Sequence, residues 1–201
     1  MQLMDAIRAR RAVRAYRPDP IPEQVLHRVL EAAIHAPRGG GARNWQFGVV
    51  TDAEMRRALA EAAGGQLWIA EAPVVLALCA DISWDMADLP EDDFSLRVNY
   101  LRFGREFVDF CKGYPDRRSI RLIWANAAPM LPGEHIALAA AEAGLGTCWV
   151  GYLDIARASA LLRLPEHLAC LYLMPIGYPA EPLAPGEPRE VEGFIFRNTW
   201  A

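Results

Sequence analysis

The sequence predicts one domain of mixed helices and strands, on three observations. The chain has 201 residues, of which 53% are hydrophobic and 23% charged, enough for a substantial buried core. Val25, Leu26, Val29, Leu30, Ala33 and Ile34 recur with the 3.6-residue period of an amphipathic helix. Two continuous apolar runs, Val74 to Ala80 and Cys170 to Ile176, read as strands, the first covered on both faces.

In chain order, Leu3 to Ala9 forms a short helix, and Arg17-Pro18-Asp19-Pro20-Ile21-Pro22 turns into the next. Pro22 suits the first position of that helix, and Pro37 ends it. His27, Glu31 and His35 lie on its other face at spacings of four, a polar stripe lacking the further ligands a metal site needs. Gln46 to Thr51 reads as a strand, with Asp52 capping a helix from near Ala53. The middle segment, 81–128, is acidic and irregular at first, then helical near Leu96 to Cys111 and Asp116 to Ala128. A helix over Pro132 to Ala143, rich in small apolar residues, can pack closely against another helix. Thr147 to Gly151 reads as a strand, and Asp154 caps a helix to about Leu162. The tail, 179–201, finishes in Phe194-Ile195-Phe196-Arg197-Asn198-Thr199-Trp200, apolar enough to require burial, with a partner subunit as the expected surface. There is no internal repeat, and 1–201 is expected to form a single domain.

Bulk properties exclude several classes. A net charge of −4 with no long basic run argues against a nucleic-acid binder. The most apolar segment, Leu67 to Ala80, is too short to span a bilayer and is broken by Glu71 and Pro73. The beginning of the chain has no signal-peptide apolar region. Cys79, Cys111, Cys148 and Cys170 are widely spaced, without the pairing of a zinc or iron–sulfur site. A reducing, cytoplasmic setting is the expectation, with no metal.

Three stretches carry chemistry. Arg10, Arg11 and Arg14 fall within five residues, followed by Tyr16-Arg17-Pro18. Guanidinium groups so clustered can grip a phosphate through paired, charge-assisted hydrogen bonds, although alone the run would serve as a solvated basic face. Ala36-Pro37-Arg38-Gly39-Gly40-Gly41-Ala42-Arg43-Asn44 is a glycine-rich loop that lets backbone approach a ligand closely. No strand precedes it, so it is neither a dinucleotide fingerprint nor a Walker loop. Gly144-Leu145-Gly146-Thr147-Cys148-Trp149-Val150-Gly151 is the third. With Gly177-Tyr178-Pro179 and the final Asn198-Thr199-Trp200, these motifs in this order resemble the FMN-dependent nitroreductase family over nearly the whole chain.

The resemblance implies an α+β, nitroreductase-like fold. In it a central, mainly antiparallel sheet is wrapped by helices in an intertwined homodimer, with FMN at the subunit interface. It assigns Arg10, Arg11, Ala12 and Arg14 to the FMN phosphate and ribityl chain, and Arg189 to the same phosphate. Trp149, Val150 and Gly151 match the segment against the isoalloxazine ring, where a main-chain N–H points at flavin N5. Arg38, Gly39, Gly40, Gly41 and Arg43 match the loop that crosses to the partner's flavin. The chain departs from the family pattern at Ala12, usually serine, and in the loop, where Arg38, Gly41 and Arg43 replace polar residues. Glu187 stands where a lysine is common. Arg38 and Arg43 add positive charge that favours an anionic substrate or reduced flavin.

The activity implied is hydride transfer from NAD(P)H through FMN to a small organic acceptor, nitroaromatic or quinone-like, by a ping-pong mechanism. No side chain is needed as general acid or base for the hydride step, so no catalytic residue is assigned. Two alternatives keep the fold. One is a flavin-cleaving relative, which the run from Arg10 to Ile34 also resembles. The other is a non-catalytic or altered-ligand protein with a degenerate flavin site.

Overall fold

The computed structural model describes residues 2–37, 44–184, 186 and 190–200. Helix α1 (Leu3–Ala9) is opened by a reciprocal cap between Gln2 and Asp5. Helix α2 (Glu23–Ile34) begins one residue after Pro22 and buries Leu26, Val29 and Ala33. Ile34, which the periodicity assigned to the buried stripe, is 59% exposed at the helix end.

Strand β1 (Trp45–Val50) leads through Asp52 into α3 (Ala53–Ala62), the Asp52 carboxylate accepting from the Met55 amide at 2.8 Å. A short 3₁₀ turn, Leu67–Glu71, then precedes β2 (Val74–Asp81), buried along its length except at Asp81. After helices α4 (Phe94–Phe103), α5 (Arg105–Gly113), α6 (Arg117–Ala125) and α7 (Met130–Glu142) and strand β3 (Gly146–Thr147), Asp154 caps α8 (Ile155–Leu161), its carboxylate 2.9 Å from the Arg157 amide. Strand β4 (Leu168–Gly177) completes the sheet.

The sheet is antiparallel throughout, in the order β1-β2-β4-β3. Trp45 pairs with Ala80 and Val50 with Val75, and Val74 pairs with Ile176 in the next ladder. Side chains alternate across β2, so one strand feeds two cores. Val74, Leu76 and Leu78 pack with α2 and with Ile136, Ala137 and Ala140 on one face. Val75, Ala77 and Cys79 pack on the other face with Leu59, Ala60 and Ala63 and with Ala158. This two-sided cover explains the unbroken apolar run.

Two elements differ from the sequence expectation. The strand expected over Thr147 to Gly151 is paired only at Gly146–Thr147. Beyond that only Val150 returns to the ladder, in an isolated bridge with Leu173. Between them Trp149 leaves the ladder, because its ring fits a notch beside Gly133, where an added Cβ would lie 2.3 Å from Cη2. The helix expected over Leu96 to Cys111 is two helices, α4 (Phe94–Phe103) and α5 (Arg105–Gly113). Gly104 divides them at φ 83°, a conformation open to glycine and costly for other residues.

Helix α6 (Arg117–Ala125) follows, capped by Asp116, and α7 (Met130–Glu142) begins two residues before the expected start. Residues of 86–120 hold a small core of their own, formed by Met86, Leu96, Val108, Cys111 and Ile120. Asp85, 8% exposed, ties it to α6 through two hydrogen bonds from Arg117, that from Nε being 3.1 Å. Burial pushes the Asp85 carboxyl up, but the Arg117 hydrogen bond, the Ala87 amide and the charges of Arg117 and Arg121 together hold it below the ordinary value. Among the described residues, no helix is long and apolar enough to cross a membrane.

Candidate active site

The basic cluster emerges from α1 as an extended arm laid along the sheet edge. The Arg10 amide still bonds to Ala6 O at 2.9 Å, and the chain then straightens. Ala12 forms a parallel bridge with Thr147, and the Val13 amide donates to Thr147 O at 2.9 Å. This approach requires Gly146, since an added Cβ there would lie 2.4 Å from Val13 Cγ2. The far end of the arm is fixed by the Arg17 amide on Tyr178 O (2.9 Å) and the Ala180 amide on Ala15 O (3.0 Å).

Tyr16 anchors the middle from inside. Its hydroxyl, 2.6 Å from Val13 O and 3.2 Å from Pro175 O, shares one proton between two buried carbonyls. Burial, reinforced by Cys148 and opposed by Arg14, pushes its pKa far above the ordinary phenol value. The tyrosine is therefore a structural donor rather than an acid at neutral pH. Cys148 nearby is also raised by burial, against the charges of Arg14 and Arg10, and stays a thiol.

A cleft of about 460 Å³ opens between the arm, α7, β3 and the start of the tail. Arg10, Arg11 and Arg17 line one side, Ala137, Ala141 and Leu145 the apolar floor, and Thr147 the end of β3. Glu181 adds one carboxylate. Arg11 Nη1 also lies 2.6 Å from both Arg8 O and Arg10 O, closing the C-terminus of α1. Arg17 stacks on Tyr178, its guanidinium carbon 5.1 Å from the ring centre. Gly186 passes so close that an added Cβ would lie 2.2 Å from Arg11 Nη2.

Beside the cleft, Trp149 is held on three sides. Its ring occupies the Gly133 notch and meets Tyr172 edge-on, at 5.5 Å and 86°. Its indole N–H donates to Glu134 Oε2 at 3.2 Å, while Glu134 Oε1 lies 3.5 Å from Arg10 Nε. Tyr172 in turn donates to Asn126 Oδ1 at 2.9 Å.

The sequence-predicted residues are thus partly brought together. Arg10 and Arg11 line the cleft with Thr147, and Ala12 lies on the bridge to it. Arg14 is not in the cleft lining and lies over the Trp68 ring at 5.8 Å, its charge, like that of Arg10, reaching Cys148. Trp149 borders the cleft region through Glu134, whereas the Val150 side chain belongs to the core on the α3 and α8 side. Gly151 follows it on the surface. Arg38, Gly39, Gly40, Gly41, Arg43, Glu187 and Arg189 lie outside the described residues. Sequence reading missed Gly133, Glu134, Trp68 and Tyr172. None stands in a motif, and each reaches the site only through folding.

The chain belongs to the Nitroreductase family, whose model matches residues 7–178. It is 36% identical over 172 residues to an NADH dehydrogenase of Thermus thermophilus, covering 86% of this chain and 84% of the relative. It is 30% identical over 184 residues to an FMN reductase [NAD(P)H] of Bacillus subtilis, covering 90% and 67%. Among solved structures, NfrA2 of B. megaterium superposes with a TM-score of 0.75 at 22% identity, covering all of this chain and 76% of that one. The NADPH:FMN oxidoreductase of Vibrio harveyi, solved with NAD+, gives 0.70 at 23% identity, covering 99% and 78%. These two establish the fold alone.

Proposed function

We propose that this protein is an NAD(P)H-dependent flavin oxidoreductase that binds FMN beside the arginine arm. The observation that carries the reading is the docking of Ala12 and Val13 on Thr147, which brings Arg10 and Arg11 into the lining of the cleft. The donor set fits the phosphate end of FMN, since Arg10, Arg11 and Arg17 present guanidinium groups at one wall. The cleft volume also falls within the ordinary range for small-molecule sites, about 300–1,000 Å³. The names of the Thermus and Bacillus relatives support the same chemistry.

FMN held there would supply the hydride chemistry between reduced nicotinamide and an acceptor, the two substrates taking turns at one site. The chain's own residues bind and orient. Arg10 and Arg11 hold the phosphate, with Arg189 and the loop residues Arg38, Gly39, Gly40, Gly41 and Arg43 completing the site. Trp149, Val150 and Gly151 form the ring-facing segment, the Val150 amide being engaged with Leu173 O at 2.9 Å. Arg14, over the Trp68 ring, supplies further positive charge beside the arm.

Residues 1–201 act as a single domain, with 81–128 as its variable segment, and two copies assemble as a homodimer. Exposed apolar side chains support that assembly, among them Phe94, Leu101, Phe194 and Trp200, each at least 76% exposed in the isolated chain. Four free cysteines support a cytoplasmic setting. The acceptor is a small nitroaromatic or quinone. Steady-state rates with NADH or NADPH and a quinone, varied together, test the reading. Parallel reciprocal plots are expected; intersecting plots would refute alternation, and no turnover with any acceptor would refute the activity. R43Q is expected to slow acidic acceptors more than neutral ones, and equal effects would remove the anionic preference.

A further inference from the structure

We infer that Glu134 is a positioning residue of the cofactor site, coupling the phosphate-binding arm to the indole beside it. The inference rests on the functional reading above. Glu134 stands in the first turns of α7 and splits its carboxylate between two partners on different parts of the chain. Oε1 faces Arg10 Nε at 3.5 Å and Oε2 accepts from Trp149 Nε1 at 3.2 Å.

Each contact alone would be minor. An exposed ion pair contributes little, because solvent screens it and two long side chains lose freedom. Here both partners are constrained already. Arg10 begins the arm and is tethered through its amide to Ala6. Trp149 is seated in the Gly133 notch against Leu78 and Tyr172 and needs an acceptor for its half-buried N–H. Glu134 satisfies that donor and meets the guanidinium of Arg10 on the same side of α7.

The choice of nitrogen matters. A guanidinium is a planar fork with five N–H donors. The nearest approach is the ion pair at Nε, which biases the orientation of the fork and leaves no side-chain hydrogen bond on Nη1 or Nη2 among the described residues. Arg10 lines the cleft, so its two terminal nitrogens are available for a doubly charged phosphate. Glu134 acts on the phosphate only through Arg10, and on the ring-facing segment only through Trp149.

The two paths separate by ligand and by variant. E134Q keeps an oxygen to accept from Trp149 but weakens the pull on Arg10; E134A removes both. Dissociation constants for FMN and for riboflavin, which lacks the phosphate, are measured on the apoprotein by flavin fluorescence quenching. E134Q is expected to weaken FMN about fivefold and leave riboflavin within twofold. E134A weakens both ligands and shifts the Trp149 emission. In an R10A background, E134Q has no further effect on FMN.

Wild-type affinity for FMN in both variants would overturn the inference, as would equal weakening of FMN and riboflavin by E134Q, the mark of a structural defect. Undiminished E134Q effects on R10A would overturn it too. A wild-type protein that binds neither ligand would instead refute the functional reading on which it stands.

Discussion

Arg10 shows how one side chain can be read in two ways until its neighbours are known. In sequence it is one member of a basic run; in the structure it caps the end of α1 with its amide, meets Glu134 and lines the cleft. Charge-assisted hydrogen bonds are worth about 1.5–3 kcal/mol each. R10A is therefore expected to weaken FMN roughly 10- to 100-fold and riboflavin far less, as flavin fluorescence titration would reveal. Glycines make the opposite kind of contribution, through what they leave out. G133A would drive a methyl to 2.3 Å from Trp149 Cη2 and 2.8 Å from Leu78 Cδ2. Overpacking of this kind costs about 1–3 kcal/mol, so thermal unfolding should shift down by several degrees. The roles of Gly133 and Glu134 were not legible in the sequence, since both meet Trp149 only because α7 packs across the sheet. The place of Arg10 and Arg11 in a cleft lining was legible only as an expectation, because the run alone would serve as a solvated face and the other motifs were needed to suggest a site.

At the scale of elements, local chemistry was readable and pairing was not. Asp52 and Asp154 cap the helices they were expected to cap, because the signal lies within three residues of the event. The run Val74 to Ala80 marked the central strand, since both faces of β2 are covered. The strand over Thr147 to Gly151 failed in part because Trp149 follows a notch on a helix, information that no local pattern contains. The break at Gly104 was missed because the apolar spacing continues through it and only a positive φ ends α4.

The middle helices also carry a pH dependence. Asp85 is held below its ordinary pKa, so its contribution is complete above about pH 4–5 and is lost as pH falls through the depressed folded value. Hydrogen exchange in α5 and α6 should accelerate in that acid range before the sheet does. D85N should weaken the same helices at neutral pH by about 1–3 kcal/mol and remove the acid step. Uniform exchange across sheet and helices would contradict this.

At the scale of the molecule, the sheet brings together residues from opposite ends of the chain. The arm at 10–17 binds β3 and the segment after β4, so Arg10 and Arg11, Trp149 and the start of the tail share one edge. The proposed homodimer rests on the same layout, because the exposed aromatics at α4, α5 and the tail lack cover in a single copy. Light scattering should give twice the chain mass, and removal of residues 190–201 should reduce it; a wild-type monomer would contradict the assembly. The most direct test of the flavin reading is the visible spectrum of the purified protein, loaded with FMN and titrated anaerobically with NADH and then NADPH. About one FMN retained per chain, with its absorbance near 450 nm bleached by at least one of the two, is the expected result. A protein that stays colourless in excess FMN, or holds FMN that neither nicotinamide bleaches, would contradict it.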